Sequence, residues 1–271
     1  MPRPPNSREI YVADISQHNV EIAENLESWN RKPLLRRIYE DFYERIAAQI
    51  DPQIEGHILE LGSGVGNLKT AFPDAIASDL FPNPWLDLIC DGYELPFDDG
   101  ALSHLILFDV FHHLEAPAAF LREAKRALAP GGRVIVFDPY VSLSTHWIYG
   151  WLHHEPSGWR ENINSATDFP PPRDYYAAQG NATRIFFFGE ALQDELGDWN
   201  MLRAERFAAF SYIFSGGFSR PACYPPSMYP LFKAMDGLLS KCPTLFGGRC
   251  LVTLEKVSNC QDSQSLSKSL S

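Results

Sequence analysis

The chain has 271 residues, enough for one large domain or two small ones, and 45% of them are hydrophobic, enough for a sizeable core. Lys and Arg total 23 and Asp and Glu total 34, so the formal charge is −11. This charge disfavours generic binding to nucleic acid or to anionic lipid, although it is compatible with a local basic patch.

The sequence also indicates where the protein is located. No apolar run approaches the roughly 20 residues that a membrane span needs, so we expect no membrane span. The opening stretch MPRPPNSREIYVADIS has no apolar signal core, and the five cysteines include no CxxC pair and no metal-ligand spacing. An odd number of cysteines without an export signal is typical of reduced thiols, so we expect a cytoplasmic protein without a metal site.

Residues 1–50 are predicted to form an N-terminal helical cap. After a Pro-rich start, apolar residues recur at helical spacing through residues 16–50, and Pro33 is placed to begin a helix. The apolar positions are Leu34, Leu35, Ile38, Phe42, Ile46 and Ile50. The segment DPQIEG then ends the helical pattern.

Residues 51–257 are predicted to form the main domain, which opens with short apolar runs separated by helical or loop segments. The predicted strands are His57–Leu61, Ala75–Asp79, Leu86–Cys90, Ser103–Asp109 and Gly132–Asp138. Their nearly continuous apolar character is typical of a parallel sheet that is covered on both faces. Residues Pro117–Leu128 are predicted to be helical, and the alternation of strand and helix predicts a doubly wound α/β sheet.

The pattern changes after residue 138. Residues 139–188 are rich in aromatic residues, Pro and His, with little periodicity. A loop region of this length within a compact chain is usually functional or mobile, and we predict a substrate lid inserted after the fifth strand. The remaining predictions are strands at Ala204–Tyr212 and Arg249–Lys256, a second insertion at 213–248 with a helix near 226–241, and a disordered polar tail at 258–271.

The stretch HILELGSGVGNL at the end of the first strand carries the strongest functional signal. A phosphate-binding P-loop needs a Lys and a Ser or Thr after its last glycine, but Gly66 is followed by Asn67 and Leu68. A dinucleotide fingerprint needs a third glycine where this chain has Asn67, and Glu60 would be a poor neighbour for a pyrophosphate. An acid is tolerable where the ligand carries a cation, as S-adenosylmethionine (SAM) does with its sulfonium and ammonium groups.

This glycine stretch resembles the glycine motif of class I SAM-dependent methyltransferases. The resemblance continues in register through IASDLFP, ICDGYELPFDDG and LILFDVFHHLEAPAAFLREAKRALAPGGRVIVFDP, over roughly residues 57–138, in the type-11-like group of the family. It implies a Rossmann-like, doubly wound, seven-stranded sheet that is mostly parallel and has an antiparallel last strand.

The resemblance also implies a set of cofactor-binding residues. It places Asp79 on the ribose hydroxyls of SAM and Asp91 near the adenine. The full set is Glu60, Gly62, Ser63, Gly64, Gly66, Asp79, Leu80, Asp91, Gly92 and Phe108. One departure stands out: only eleven residues separate Asp79 from Asp91, and they include Pro82 and Pro84, so the helix that the family has between these strands must be very short or absent.

Two pairs of adjacent histidines are candidates for metal binding or for proton transfer. Adjacent histidines such as His112 and His113 point in different directions on a helix and chelate metals poorly, and HHL is widespread in this scaffold. The segment YGWLHHEPSGW lies in the predicted lid, on the side of the sheet where class I folds bind their ligands. Its His153, His154 and Glu155 are therefore candidates to hold or deprotonate an acceptor, or alternatively to pin the lid to the core by hydrogen bonds.

The expected function is methyl transfer from SAM to a small molecule, with an O-, C- or N-nucleophile as the acceptor atom. The aromatic lid suits a concave apolar pocket, and the negative charge disfavours a nucleic acid. A SAM-fold binding or scaffold protein that transfers nothing is an alternative, and a dehydrogenase is a poorer one. The sequence leaves the oligomeric state open.

Overall fold

A seven-stranded sheet forms the centre of the computed structural model, which describes residues 15–152, 158–159, 162–163 and 176–257. The strands are β1 (His57–Leu61), β2 (Ile76–Asp79), β3 (Leu88–Ile89), β4 (Leu102–Phe108), β5 (Leu128–Pro139), β6 (Trp199–Phe207) and β7 (Arg249–Lys256). Their spatial order is β3-β2-β1-β4-β5-β7-β6. Only β7 runs antiparallel to its neighbours, so the predicted Rossmann-like sheet with an antiparallel last strand is confirmed.

Helices cover both faces of this sheet. They are α1 (Ile15–Arg31), α2 (Pro33–Ala47), α3 (Pro117–Ala127), α4 (Leu143–Leu152), α5 (Asn181–Phe188), α6 (Gln193–Gly197), α7 (Phe210–Phe214), α8 (Tyr229–Leu239) and α9 (Pro243–Phe246). One core cluster lies between the sheet and α3 and α5, and a second lies between the sheet and α2. No helix in the described ranges combines the length and the apolar character that crossing a membrane would need.

The N-terminal helical segment is two helices with a break before Pro33. As predicted, Pro33 begins the second helix, where its missing N–H costs nothing. The break is stabilised from far along the chain, because Lys32 Nζ donates hydrogen bonds to the backbone oxygens of Gly217, Phe218 and Arg220 at 2.6–3.1 Å. Helix α2 buries the predicted apolar positions from Leu34 to Ile46 against the sheet.

The predicted strand at Ala204–Tyr212 is wrong in its position. Strand β6 ends at Phe207, and Phe210–Phe214 forms helix α7. The reason is a tertiary cap: the Asp236 carboxylate, which lies on α8, accepts hydrogen bonds from the backbone N–H groups of Phe210 at 2.8 Å and Ser211 at 3.0 Å. A carboxylate at this end satisfies N–H groups that have no partner inside the helix.

The predicted lid contains described residues at both of its ends. Helix α4 begins four residues after β5, and α5 lies at the far end of the segment. His153, His154 and Glu155 fall outside the described residues, as do residues 1–14 and the tail at 258–271. The division of the chain into cap, lid and second insertion stays a prediction.

Candidate cofactor site

The turn that follows β1 is built on glycine. Gly62, Gly64 and Gly66 have φ values of +71°, +53° and +69°, a region that other residues enter only at a cost. A Cβ at Gly62 would lie 2.4 Å from Val110 Cγ2, so this end of the turn is packed tightly against the residues after β4. At Gly64 the nearest atom to such a Cβ is Ile22 Cδ1 at 3.6 Å, so space remains beside the turn.

Ser63 and Ser78 tie the turn to the neighbouring strand. The Ser63 N–H donates to Ser78 O at 2.8 Å, and the Ser78 N–H donates to Ser63 Oγ at 2.9 Å. The Ser78 hydroxyl then donates to the backbone oxygen of Glu60 at 2.7 Å. These bonds hold the predicted site residue Ser63 in place through its backbone and hydroxyl, and they fix the path of the turn relative to β2.

Asp79 at the end of β2 organises the same turn. Its Oδ2 accepts a hydrogen bond from the Gly64 N–H at 3.0 Å, and its Oδ1 accepts one from the Leu80 N–H at 2.7 Å. The Asp79 carboxylate is therefore fixed at the carboxyl end of the sheet, next to the glycines. Leu80 itself leaves 39% of its side chain exposed at this point.

Asn83 also contacts the glycine turn, and the sequence interpretation did not include it. Its Nδ2 donates to the backbone oxygen of Gly64 at 3.0 Å, and its Oδ1 accepts the Trp85 N–H at 3.0 Å. Asn83 thus braces the glycine turn from the short connection between β2 and β3. Its position beside Pro82 and Pro84, in a connection too short for the usual helix, was the available signal.

Glu60 is buried, and one of its carboxyl oxygens accepts no hydrogen bond. Its side chain is 5% exposed, and its Oε2 has no hydrogen-bond partner. The pKa of Glu60 is raised to about 8, chiefly by burial and also by the nearby Asp79, while a hydrogen bond from Ser63 and the charge of Lys69 oppose the shift. A buried carboxyl oxygen without a donor is costly, so the site suits a ligand that brings a cation or an N–H group.

The connection between β2 and β3 contains no helix, as its length predicted. Strand β3 has only two residues, and Asp91 follows it with its Oδ1 accepting the Tyr93 N–H at 2.9 Å. A Cβ on Gly92 would lie 2.8 Å from Leu61 Cδ2, so Gly92 allows close packing against the end of β1. Asp91 and Gly92 thus lie near the glycine turn, and their contacts with adenine stay predictions.

Phe108 lies in an aromatic cluster under α2. Its ring stacks on Phe137 with a centroid distance of 4.8 Å and packs against Tyr39 at 5.2 Å and Tyr43 at 5.9 Å. These contacts account for the side chain by packing, and a contact with the cofactor stays a prediction. The next residue, Asp109, has a φ of +57° and pairs with the buried Arg249 at the start of β7.

The adjacent histidines after β4 have different partners, as expected from their spacing. His112 Nδ1 lies 2.9 Å from Asp138 Oδ1 in a fully buried pair, and His113 Nδ1 donates to the Tyr176 backbone oxygen at 2.9 Å. Burial raises the pKa of Asp138, and His112 opposes that shift. Because His112 is only 3% exposed, this pair favours a scaffolding role that joins β4 to β5.

Comparisons with known proteins agree with this geometry. Residues 59–136 match the model of the type-11 family, described as a methyltransferase domain. None of the curated proteins matches the chain. The matched span runs from β1 to β5 and includes the glycine turn, Asp79 and Asp91.

Three solved structures are similar over most of the chain. A chain from the complex of the Haloferax volcanii Trm112 methyltransferase activator with a methyltransferase is 19% identical, with 89% of this chain and 96% of that chain covered and a TM-score of 0.49. A SAM-dependent methyltransferase of Thermotoga maritima is 13% identical, with 87% and 98% covered and a TM-score of 0.48. Geranyl diphosphate C-methyltransferase of Streptomyces coelicolor is 11% identical, with 82% and 80% covered and a TM-score of 0.47.

These identities are too low to indicate an acceptor or a partner. The family match covers the strands and turns whose motifs carry the resemblance. Residues 59–136 therefore match a methyltransferase domain, and this match is consistent with the class I SAM-dependent family.

Proposed function

We propose that the protein transfers a methyl group from SAM to a small-molecule acceptor. The observation that carries the proposal is Glu60, whose buried Oε2 has no hydrogen-bond donor and lies in the strand that leads into the glycine turn. The ammonium or sulfonium of SAM would supply the positive charge that this carboxyl group needs. A phosphate-bearing dinucleotide would instead place negative charge next to Glu60 and Asp79.

The chain's own residues would hold the cofactor at the carboxyl ends of β1 and β2. The glycine turn would let the backbone approach the ligand closely. Asp79 would accept hydrogen bonds from the ribose hydroxyls while it keeps those from the Gly64 and Leu80 N–H groups. When bound, SAM supplies an electrophilic methyl group. The protein's main task is then to hold the acceptor atom about 3–3.5 Å away and in line with the bond that breaks.

The predicted lid would position the acceptor. Gly158, three residues after Glu155, is anchored to the body of the protein: Arg184 Nη1 donates to its backbone oxygen at 3.1 Å, and a Cβ there would lie 2.4 Å from Ala178 Cβ. Ala178 in turn donates its N–H to the His112 backbone oxygen at 2.9 Å. This anchor beside the residues after β4 supports a role of the His153–Glu155 segment at the acceptor.

Calorimetry with SAM, its demethylated product and NADH tests the assignment directly. We expect binding of SAM and of the product and no binding of NADH, because the site carries two acids and no phosphate-binding pattern. Binding of NADH without SAM would reject the proposal. Turnover of SAM against a metabolite extract, with the mass of the methylated product identified, then separates an enzyme from a SAM-binding scaffold protein.

Variants of the lid test the acceptor side of the proposal. If His153, His154 or Glu155 removes a proton from the acceptor, its Ala or Gln variant should lower the methyl-transfer rate by about 100-fold or more, the usual scale for a lost general base. SAM affinity and thermal stability should not change. His146→Gln, an exposed histidine on α4, is the matched control and should keep full activity.

Full activity in all three lid variants would reject the catalytic role. A joint loss of stability and activity would instead mean that these residues pin the lid to the core by hydrogen bonds.

A further inference from the structure

Three large apolar side chains are exposed around the short connection between β2 and β3. Leu80 and Trp85 lie within the connection and are 39% and 37% exposed, and Ile89 on β3 is 40% exposed. We call these three residues the β2–β3 patch. A cluster of exposed apolar side chains is typical of a surface that a ligand or a partner covers.

The β2–β3 patch surrounds Asp79. Leu80 follows Asp79 in the chain and donates its N–H to Asp79 Oδ1 at 2.7 Å. Ile89 is the register partner of Asp79 on the parallel strand β3, so the two side chains lie on the same face of the sheet. The Cys90 N–H donates to the Asp79 backbone oxygen at 3.0 Å and fixes β3 at this point. Leu80 and Ile89 are thus immediate neighbours of the carboxylate that we propose binds the ribose.

Trp85 joins the patch to the glycine turn. A Cβ at Gly66 would lie 3.4 Å from Trp85 O and 3.9 Å from Trp85 Cβ, so the tryptophan backbone lies against the end of the turn. Asn83 fixes this position, because its Nδ2 donates to Gly64 O at 3.0 Å while its Oδ1 accepts the Trp85 N–H at 3.0 Å. Trp85 is therefore held beside the turn by the same residue that braces it.

The Trp85 indole makes no ring contact within the described residues, unlike several other tryptophans. Trp29 packs against Tyr39, Trp147 against His146 and Trp159 against Phe188. A partly exposed tryptophan on a fixed backbone offers a large, flat and apolar surface for another ring.

The chemistry of the β2–β3 patch fits adenine. In SAM the base is attached directly to the ribose, so a ribose on Asp79 brings the base next to the patch. Adenine is uncharged at neutral pH, has two apolar faces and carries an amino group on its edge. Asp91, which is exposed two residues after Ile89, supplies a carboxylate as an acceptor for that amino group. An anionic ligand would instead meet the negative charge of Asp79 and Asp91.

We propose that the β2–β3 patch binds the adenine of SAM, with the Trp85 indole stacked on the base. Leu80 and Ile89 form the apolar surface next to the ribose, and Trp85 covers the base from the side of the glycine turn. The inference rests on the proposed function, because it takes the SAM ribose to lie on Asp79. It adds Trp85 and Ile89 to the residues that contact the cofactor.

Tryptophan fluorescence tests the stacking. A base stacked on an indole quenches its emission, so S-adenosylhomocysteine and adenosine should quench the emission of the full chain, and methionine should not. Trp85→Phe should lose this quenching and keep the affinity for S-adenosylhomocysteine within about threefold, because a phenyl ring also stacks. Trp85→Ala should bind it about 5- to 100-fold more weakly in calorimetry, the range for the loss of one aromatic ring stacked on a base.

Leu202→Ala on β6 is the matched control for affinity. Leu202 is 44% exposed and lies at the opposite edge of the sheet, so this variant should bind S-adenosylhomocysteine like the unaltered chain. Trp85→Ala should unfold at the temperature of the unaltered chain, because the side chain it removes is partly exposed. A weaker affinity without a change in stability then reports a lost contact with the ligand.

The cofactor assignment and the stacking fail in different ways. If the unaltered chain binds neither SAM nor S-adenosylhomocysteine, the cofactor assignment is rejected, and the stacking with it. If S-adenosylhomocysteine binds but Trp85→Ala binds it equally well, or Trp85→Phe keeps the quenching, the adenine lies elsewhere and only the stacking is rejected.

Discussion

Glu60 and Asp79 are two buried acids at the ends of adjacent strands, and they differ in the hydrogen bonds that their carboxyl oxygens accept. Asp79 accepts hydrogen bonds from the backbone of Gly64 and Leu80, whereas Glu60 keeps one oxygen without a donor. Hydrogen bonds stabilise a carboxylate, and burial without them favours the protonated acid. We therefore expect a bound cation to change the charge of Glu60.

We expect SAM binding to release a proton from Glu60. Its pKa is about 8 in the folded protein, so the carboxyl group is mostly protonated near pH 7. A cationic ligand favours the carboxylate, so SAM binding should release close to one proton, and SAM affinity should rise with pH until about pH 8 and then level off. Calorimetry in buffers of different ionisation enthalpy measures this release.

Glu60→Gln is the matched variant for that measurement. It has no proton to lose, so it should release none and should show no rise in affinity toward pH 8. Equal proton release by both proteins would mean that another group responds to the ligand.

Asp79→Ala should affect both binding and stability. It should weaken SAM binding by about 10- to 100-fold, because charged hydrogen bonds to ribose contribute roughly 1.5–3 kcal/mol each. It should also lower the free energy of unfolding by about 1–3 kcal/mol, because the Gly64 and Leu80 N–H groups lose their acceptor. Calorimetry and urea unfolding measure the two effects.

Asp87→Ala separates these two effects. Asp87 accepts the Ala77 N–H at 2.8 Å and pairs with Lys69, so its loss should lower stability and leave SAM affinity unchanged. If Asp79→Ala binds SAM as well as the unaltered chain, the Asp79 carboxylate serves the turn alone.

At the scale of elements, the turn after β1 needs glycine for two reasons. The positive φ values disfavour residues other than glycine, and the space beside Gly64 is where we expect a ligand to lie. Gly62 differs, because Val110 already fills the position of its missing Cβ. The turn is therefore packed at its start and open at its middle.

Gly64→Ala tests this division. A φ of +53° costs an alanine about 1–2 kcal/mol, so the variant should fold with slightly lower stability while its methyl group obstructs the cofactor and SAM binding falls sharply. Gly100→Ala has a similar φ of +73° and its nearest contact is Ala129 Cα at 3.8 Å, so it should lose similar stability and keep SAM affinity. Normal SAM binding by Gly64→Ala would place the ligand elsewhere.

At the scale of the molecule, α2 belongs to the core. Its Ile38 and Ile46 are fully buried against a cluster that includes Ile106, Ile135 and Leu251 from the central strands. The aromatic rings of Tyr39 and Phe42 pack against Phe108 and Phe137 in the same cluster. The predicted N-terminal cap thus packs against the sheet through α2, and Ile22 on α1 lies beside the glycine turn.

Ile38→Ala should therefore lower the free energy of unfolding by about 2–5 kcal/mol, the range for a fully buried large-to-small change. Val20→Ala on α1, where the side chain is 56% exposed, should change it by no more than about 0.5 kcal/mol. Denaturant unfolding of both variants measures the difference. A small effect at Ile38 would make residues 1–50 a separable cap.

Local patterns in the sequence were sufficient for the central strands, the glycine turn and the missing helix after β2. Strand periodicity, positive-φ glycines and two prolines in eleven residues act over short distances, so each is visible in a short window. The same local patterns gave the wrong position for β6. The N–H groups that begin α7 are capped by Asp236, which lies about 25 residues farther along the chain.

Only the tertiary structure decided which polar groups meet. The Glu60 oxygen without a donor, the brace from Asn83 to Gly64, and the His112–Asp138 pair each depend on where separate strands end relative to one another. Composition and spacing indicated the resemblance to the methyltransferase family and its cofactor motif, whereas burial and long-range hydrogen bonds, which no short window contains, decided the surroundings of Glu60 and Asp79.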